Sequence, residues 1–286
     1  MLTPEELREL RRIHVQAGRR VDSLFGGDWR SAVRGQGMEF EAVRAYVPGD
    51  DVRHIDWNVT ARSGEPFVKV FREERQATVL LVVDVSGSTR PGTGGRDGRT
   101  DRRLQMARIA GSLTLAAIRN RDRVGLLTFS DRVEHWLAPR QSPGHGWSVV
   151  QHVYTDHPAG RASDIAAALQ HVAKVQRRRA VVVLVSDFLD DGAWSAPLAA
   201  LARRHRVHAV LVHDPLDTAP NLGLVDVVDA ETGQNAVVDT SAWRARKSLE
   251  TRIGEVRRTG ARSIAIGTGE DALMLLHGHF QREAHR

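Results

Sequence analysis

Continuous aliphatic runs alternate with amphipathic segments through the middle of the chain. Val79 to Val83 and Ala180 to Val185 are wholly apolar, which is typical of strands buried on both faces of a parallel sheet. The segments Asp101 to Asn120 and Ser163 to Gln176 carry apolar residues at helical spacing. This alternation predicts an α/β fold with a doubly wound, mainly parallel sheet.

The same patterns place further elements around these four. Strands are predicted at Arg123 to Phe129, Arg132 to Leu137, Val207 to Val212 and Ser263 to Ile266. Helices are predicted at Trp194 to Arg204, Ala242 to Arg258 and Glu270 to Gln281. Val225 to Val238 reads as a hairpin that turns at Glu231 to Gln234. Residues 140 to 160 follow neither period, so their structure is left open.

The first quarter of the chain has a different pattern. Thr3 as cap, Pro4 in the first turn and Glu6 predict a helix that ends before Gly26. Residues 35 to 76 are irregular and strand-rich, and a type II turn is predicted across residues 47 to 50. We divide the chain into an N-terminal helix (1–30), a strand-rich segment (31–77), an α/β domain (78–268) and a C-terminal helix and tail (269–286).

Composition narrows the class of protein. The 286 residues are 41% hydrophobic, which suffices for a sizeable core, and the absence of cysteine excludes disulfides, zinc fingers and thiol catalysis. No stretch approaches about 18 uninterrupted apolar residues, and the opening segment is charged where a secretory signal would be apolar. We therefore expect a cytoplasmic protein without a membrane span.

The charge pattern argues against nucleic acid as a partner. The 41 basic and 35 acidic residues leave a net charge of +6, and the arginine clusters fall near predicted helix ends, where cations complement the helix dipole. Only 5% of residues are aromatic, and they do not interleave with the basic residues as stacking on bases requires. No nucleic-acid partner is expected.

Candidate chemistry gathers where the aliphatic strands end. In a doubly wound sheet, ligands bind beyond the carboxyl ends of the strands, near the switch in strand order. Asp84, Ser86 and Ser88 follow the first aliphatic run, Asp187 follows the second, and Ser163 opens the helix between them. Carboxylate and hydroxyl oxygens are ligands for hard cations, so this edge of the sheet is predicted to bind Mg²⁺ or Mn²⁺.

These residues resemble the metal-ion-dependent adhesion site of von Willebrand factor A domains, over about residues 78 to 268. The runs Gly35 to Phe40 and Arg44 to Trp57, with Ala61-Arg62, are similar to the bacterial family called domain of unknown function 58. That family places such a segment before a von Willebrand factor A-like domain and is often found with MoxR-type AAA+ ATPases.

The resemblance implies a role for each residue of the candidate site. Ser86, Ser88 and Ser163 would ligate the ion directly, while Asp84 and Asp187 would hold coordinated waters or ligate it themselves. A remaining position would accept an Asp or Glu from a protein partner, for which the family suggests a MoxR-type ATPase. One departure is that von Willebrand domains usually have threonine where this chain has Ser163.

Other roles are open for the same residues. Ser163 could cap its helix, Asp84 and Asp187 could fix turns, and Ser86 and Ser88 could be ordinary turn residues. A metal-dependent hydrolase using the same cluster is the enzymatic alternative, although no good general base is identifiable. A binding module rather than an enzyme is therefore the leading prediction.

The motif of the strand-rich segment also leaves two alternatives. Arg53, Asp56 and Trp57 could form a packed lid in which Arg53 and Asp56 pair and the indole fills a gap. They could equally form a surface for a partner.

Overall fold

The computed structural model describes residues 38–73, 76–89, 101–155, 158–160, 162–190, 193–218, 224–228, 235–239 and 248–284, with residues 8, 11 and 12. The strands are β1 (Met38–Ala45), β2 (Phe67–Glu73), β3 (Thr78–Asp84), β4 (Arg123–Phe129), β5 (Val133–Arg140), β6 (Val181–Ser186), β7 (Arg206–His213), β8 (Leu224–Val228), β9 (Asn235–Asp239) and β10 (Arg262–Gly267). The helices are α1 (Trp57–Ser63), α2 (Arg102–Arg119), α3 (Pro143–Thr155), α4 (Ile165–Val175), α5 (Ser195–Arg204), α6 (Leu249–Arg258) and α7 (Ala272–Ala284).

Six strands form the central sheet in the order β10-β7-β6-β3-β4-β5. Every neighbouring pair is parallel except the edge strand β5, which runs antiparallel to β4. Two antiparallel pairs, β1 with β2 and β8 with β9, lie outside this sheet. The predicted fold class, an α/β fold with a doubly wound, mainly parallel sheet, is confirmed.

Successive residues of β3 face opposite sides of the sheet, so an aliphatic strand serves two cores. Val79, Leu81 and Val83 pack in one core with α2, α3 and α7. Leu80 and Val82 pack in the other with α4, α5 and α6. Each of these side chains is fully buried, which stabilises the fold by roughly 1.5–3 kcal/mol per residue. Helices on both faces explain why the run is unbroken by polar residues.

The stretch that showed no period contains a helix. Pro143 is the first residue of α3, where its missing N–H costs nothing. Val149, Val150 and Val153 are buried against α2 and the sheet. Burial of this face therefore overrides the weak helix propensity of a segment with two glycines and three valines.

The strand-rich segment is an antiparallel pair, β1 and β2, with α1 in the connection between them. The predicted turn at residues 47 to 50 is confirmed, because the N–H of Asp50 donates to the carbonyl of Val47 at 3.0 Å and Gly49 has φ of 111°.

The packed-lid interpretation of this segment is wrong. Arg53 pairs with Asp51 at 2.8 Å, and Asp56 instead caps α1 by accepting the N–H groups of Asn58 and Val59. The side chain of Trp57 is 70% exposed and fills no gap.

Several predictions fall on residues outside those described. They are the N-terminal helix apart from residues 8, 11 and 12, the hairpin turn at 231–234, and residues 242–247 of the helix predicted before Arg258. Within the described part, no helix has the length and hydropathy needed to cross a bilayer.

Candidate metal centre

The candidate site lies where the strand order reverses. From β3 the chain passes through α2 to β4 on one side, whereas from β6 it passes through α5 to β7 on the other. The adjacent strands β3 and β6 therefore release their loops in divergent directions at the carboxyl edge of the sheet. Asp84 is the last residue of β3, and Asp187 directly follows the last residue of β6.

The carboxylate of Asp84 is fully buried and accepts hydrogen bonds on both oxygens. Its Oδ1 accepts the N–H of Ser86 at 2.9 Å, and its Oδ2 accepts the hydroxyls of Ser163 and Ser186 at 2.8 Å each. Burial, followed by the negative charge of Asp187, raises the pKa of Asp84 to about 6 despite these hydrogen bonds. The two carboxylates therefore repel each other across the site.

The carboxylate of Asp187 is also buried, but only one of its oxygens accepts a hydrogen bond from the described residues. Its Oδ1 accepts the N–H of Leu189 at 3.0 Å. Its Oδ2 has no hydrogen-bond partner among the described residues. A buried carboxylate oxygen without a donor is unfavourable, so a cation or a hydrogen-bond donor beside this atom would stabilise the site.

The loop that carries Asp187 is held in a strained shape. Phe188 has φ of 54°, a left-handed conformation that costs a bulky residue about 1–3 kcal/mol. Its ring packs edge-on against Trp194 with centroids 5.3 Å apart, and its N–H donates to the Ser186 hydroxyl at 3.1 Å. These contacts impose the turn that fixes the backbone next to Asp187.

The three candidate serines lie around Asp84 and are linked by hydrogen bonds. Ser86 and Ser88 share a hydrogen bond between hydroxyls at 3.1 Å, and Ser163 donates to Asp84. The capping role considered for Ser163 is wrong, because Asp164 caps α4 by accepting the N–H of Ala167 at 2.8 Å. Hydrogen bonds thus join Asp84, Ser86, Ser88 and Ser163, and Asp187 reaches Asp84 through its charge.

The turn-fixing role considered for the two aspartates explains only one oxygen of each carboxylate. In both, Oδ1 accepts a backbone N–H two residues ahead, as in an ordinary Asx turn. The two Oδ2 atoms serve no turn. The assignment of the five residues as metal ligands stays a prediction, and the observed turns do not conflict with it.

The segment before Ser163 is anchored to the turn between β4 and β5. Glu134 accepts the N–H groups of Ala159 and Gly160 at 3.1 and 2.9 Å and the hydroxyl of Ser130. A Cβ on Gly160 would collide with the side chains of Ser130 and Asp131. A larger side chain at this position would have to displace the side chains of Ser130 and Asp131, so the observed packing favours glycine.

Ser186 is the site residue to which sequence reasoning assigned no role. Its proximity to Asp84 follows from the register of the sheet. Val83 pairs with Val185, so the next residues, Asp84 and Ser186, are neighbours. The register of two parallel strands is not visible in the order of residues alone.

The residues present fit a hard divalent cation. Every candidate donor atom is a carboxylate or hydroxyl oxygen, and Oδ2 of Asp187 accepts no hydrogen bond from the part of the chain that the structure describes, so its lone pairs could serve a cation. Within the described ranges, no group of three or more histidines, cysteines or carboxylates could hold a metal. A cation at this edge would therefore need the serine hydroxyls as well as the two aspartates.

Comparison with known proteins agrees with the family suggested by the sequence. Uncharacterized protein Rv1480 of Mycobacterium tuberculosis is 33% identical over 280 residues, covering 94% of this chain and 87% of that protein. An uncharacterized protein in the moxR 3′ region of Paracoccus denitrificans is 38% identical over 87 residues, covering 29% of this chain and 83% of that one.

A solved structure shares the fold. The crystal structure of the hypothetical protein BatB from Bacteroides thetaiotaomicron superposes with a TM-score of 0.52 at 15% identity, covering 73% of this chain and all of that one (100%). The family model described as "Protein of unknown function DUF58" matches residues 42–259. The chain therefore belongs to the DUF58 family.

Proposed function

We propose that this chain is a metal-ion-dependent protein-interaction module that binds an acidic side chain of a partner through Mg²⁺. The observation that carries the proposal is the buried Oδ2 of Asp187, which lacks a hydrogen-bond partner among the described residues. A second buried carboxylate, Asp84, lies close enough for its pKa to be raised by the charge of Asp187. A divalent cation relieves both problems, since it partners the unsatisfied oxygen and neutralises the repulsion.

The ligands would be Asp84, Ser86, Ser88, Ser163 and Asp187, with Mn²⁺ as the alternative cation. Because only two carboxylates are available, a bound cation would keep positive charge and attract a further carboxylate in this partly desolvated site. Ser186 and the strained turn at Phe188 orient the two aspartates.

The partner would expose an Asp or Glu to this edge of the sheet. The relative described as lying in the moxR 3′ region supports a MoxR-type AAA+ ATPase as that partner. Working with such an ATPase, the module would serve chaperone-like assembly.

A binding experiment with and without metal tests the proposal. The purified chain is immobilised, the MoxR-type ATPase of the same organism is applied in Mg²⁺, and EDTA and renewed Mg²⁺ follow. We expect binding that EDTA abolishes and Mg²⁺ restores, and that Asp84→Asn lacks. Glu283→Gln is the matched control, because it removes a buried carboxylate that pairs with Arg262 at the opposite edge.

Two results would count against the module. Full-strength binding in EDTA, or in Asp84→Asn that remains folded, contradicts the metal-bridged contact. Hydrolysis of a phosphoester that requires Mg²⁺ and Asp187 would favour the metal-dependent hydrolase instead.

A further inference from the structure

We infer that Asp217 is a positioning residue that couples the two loops of the proposed metal site through a pair of buried arginines. The inference rests on the proposed function. Asp217 itself lies in the 3₁₀ turn Pro215–Thr218 that follows β7, away from the five proposed ligands in sequence.

Each site loop is held by a guanidinium that donates to a backbone carbonyl. Arg102, at the start of α2, donates from Nη1 to the carbonyl of Ser88 at 2.9 Å. Arg252, in α6, donates from Nη1 to the carbonyl of Asp187. Both arginines are buried, so solvent does not substitute for these bonds. Arg252 thus holds the loop after β6. Arg102 holds the loop after β3, together with Arg103, which donates to the carbonyl of Ser86 at 3.4 Å.

Asp217 joins the two guanidiniums. Its Oδ1 pairs with Nη2 of Arg102, and its Oδ2 lies 3.8 Å from Nη2 of Arg252. The same Oδ2 accepts the N–H of Asp214 at 3.1 Å, which ties the carboxylate to its own turn. With its side chain only 5% exposed, Asp217 holds both arginines at once. A shift of either loop is therefore transmitted to the other through one carboxylate.

The charge of Asp217 matters as much as its position. Without this charge, the guanidinium of Arg102 would lose the carboxylate to which it donates, and Arg252 would lose a neighbouring negative charge. Asp217 neutralises one of the two positive charges.

The expected size of the effect follows from outer residues of other metal sites. Groups that orient ligands without touching the metal typically change its affinity by about 10- to 100-fold when removed. We expect Asp217→Asn to weaken Mn²⁺ binding by at least about tenfold, because the amide keeps the shape of the side chain but loses the charge that holds two guanidiniums.

Mn²⁺ titration followed by the EPR signal of the free ion tests this on the full chain. Wild type, Asp217→Asn and Glu283→Gln are compared, with folding checked by circular dichroism. The last two each remove a carboxylate that is less than a tenth exposed and pairs with an arginine. If Asp217 has only a structural role, both variants lose stability and both keep the Mn²⁺ affinity of wild type. If Asp217 couples the two site loops, Mn²⁺ affinity falls in Asp217→Asn and not in Glu283→Gln.

The outcomes separate the inference from the function on which it rests. Wild-type affinity in Asp217→Asn overturns the coupling and leaves the metal site standing, while absence of Mn²⁺ binding in wild type overturns both. Should Asp217→Asn fail to fold, Arg252→Lys keeps the charge but loses the second donor. It should also bind Mn²⁺ about tenfold more weakly, and unchanged affinity there overturns the inference.

Discussion

Two buried polar pairs lie at opposite ends of the same sheet. Asp84 and Asp187 follow the carboxyl ends of β3 and β6, whereas His208 lies near the amino end of β7 and shares a hydrogen bond of 2.8 Å with His279 of α7. In each pair one buried atom lacks a hydrogen-bond partner among the described residues, Oδ2 of Asp187 and Nε2 of His208. Burial favours the neutral form in both pairs, since it raises the pKa of Asp84 to about 6 and lowers that of His208 well below its usual value.

The surroundings of the two pairs differ, and this decides what each can do. His208 lies against the ring of Phe280 with centroids 4.9 Å apart, and the charges of Arg262 and Arg206 also disfavour a protonated imidazole there. Serine hydroxyls donate to the carboxylate of Asp84, and the buried Arg102 donates to the backbone of the loop after β3. The His208 nitrogen without a partner in the described part of the chain belongs to a neutral ring, whose burial costs far less than that of a charge, whereas the aspartate pair needs a proton or a cation to be neutralised.

The largest expected effect is the response of the aspartate pair to metal. Mg²⁺ at 100 times its Kd should raise the free energy of unfolding of wild type by about 2.7 kcal/mol. Asp187→Asn should lose most of this gain, because it removes one of the two carboxylates proposed to bind the cation. In EDTA we expect Asp187→Asn to be more stable than wild type, since the substitution removes the charge repulsion with Asp84. Urea unfolding with and without Mg²⁺ measures both differences.

The histidine pair supplies the control for this measurement. His208→Leu should lower stability in both conditions yet keep the full Mg²⁺ increment, because His208 lies at the other edge of the sheet. A Mg²⁺ increment that disappears in His208→Leu, or survives in Asp187→Asn, would erase the distinction between the two pairs.

Acid should act on the two pairs with opposite sign. His208 is protonated near pH 6.5 when unfolded, but when folded only at lower pH, because burial and then the charges of His279, Arg262 and Arg206 lower its pKa. Its contribution to stability is therefore present above pH 6.5 and lost as the pH falls, at no more than about 1.4 kcal/mol per pH unit. Asp84 without metal contributes the opposite slope, because its folded pKa of about 6 exceeds its usual 3.8.

Difference curves between wild type and variants isolate each contribution. The free energy of unfolding of wild type minus that of His208→Leu should decrease as the pH is lowered from 6.5 to 5. The same difference between wild type and Asp84→Asn, measured in EDTA, should increase as the pH is lowered below about 6. Burial, followed by the charges of Arg204 and Arg179, also lowers the pKa of His205, so this residue leaves part of the acid slope in the His208 variant. A His208 difference curve that is flat across this range would show that the pair does not titrate as a buried neutral contact.

The sequence predicted the fold where local pattern and tertiary environment agree. Val79 to Val83 must be apolar at every position because helices cover both faces, and that requirement is visible in the letters. The helix α3 was not visible, because Pro143, Gly144 and Gly146 weaken its local signal and only burial against α2 explains it.

The candidate site divides in the same way. Asp84 and Asp187 could be found because strand ends at one edge of a parallel sheet meet in space. Ser186 depends on strand register, and Asp217 depends on how α2, α6 and the turn after β7 pack together. Contacts between residues more than 100 positions apart, such as Arg102 with Asp217, leave no periodic trace.

A smaller effect should separate a proposed ligand from its support. Ser163 and Ser186 both donate to Oδ2 of Asp84 at 2.8 Å, yet only Ser163 is proposed to contact the cation. We expect Ser186→Ala to weaken Mn²⁺ binding by about tenfold, because it removes orientation of Asp84, and Ser163→Ala to weaken it by more, because it also removes a proposed ligand. EPR titration of the two variants measures the difference. Equal losses would mean that both hydroxyls serve only to hold Asp84.

The smallest expected effect is a gain. Ser163→Thr adds a methyl group at a partly buried position and restricts χ1, so less rotational freedom is lost when the hydroxyl is fixed. We expect Mn²⁺ binding to tighten by about threefold, with the Asp84 contact kept. Ser186→Thr is the control, because the same methyl at a fully buried position should overpack the sheet edge and lower stability instead. Weaker Mn²⁺ binding in Ser163→Thr would show that the serine rotamer bonded to Asp84 is not the one that serves a cation.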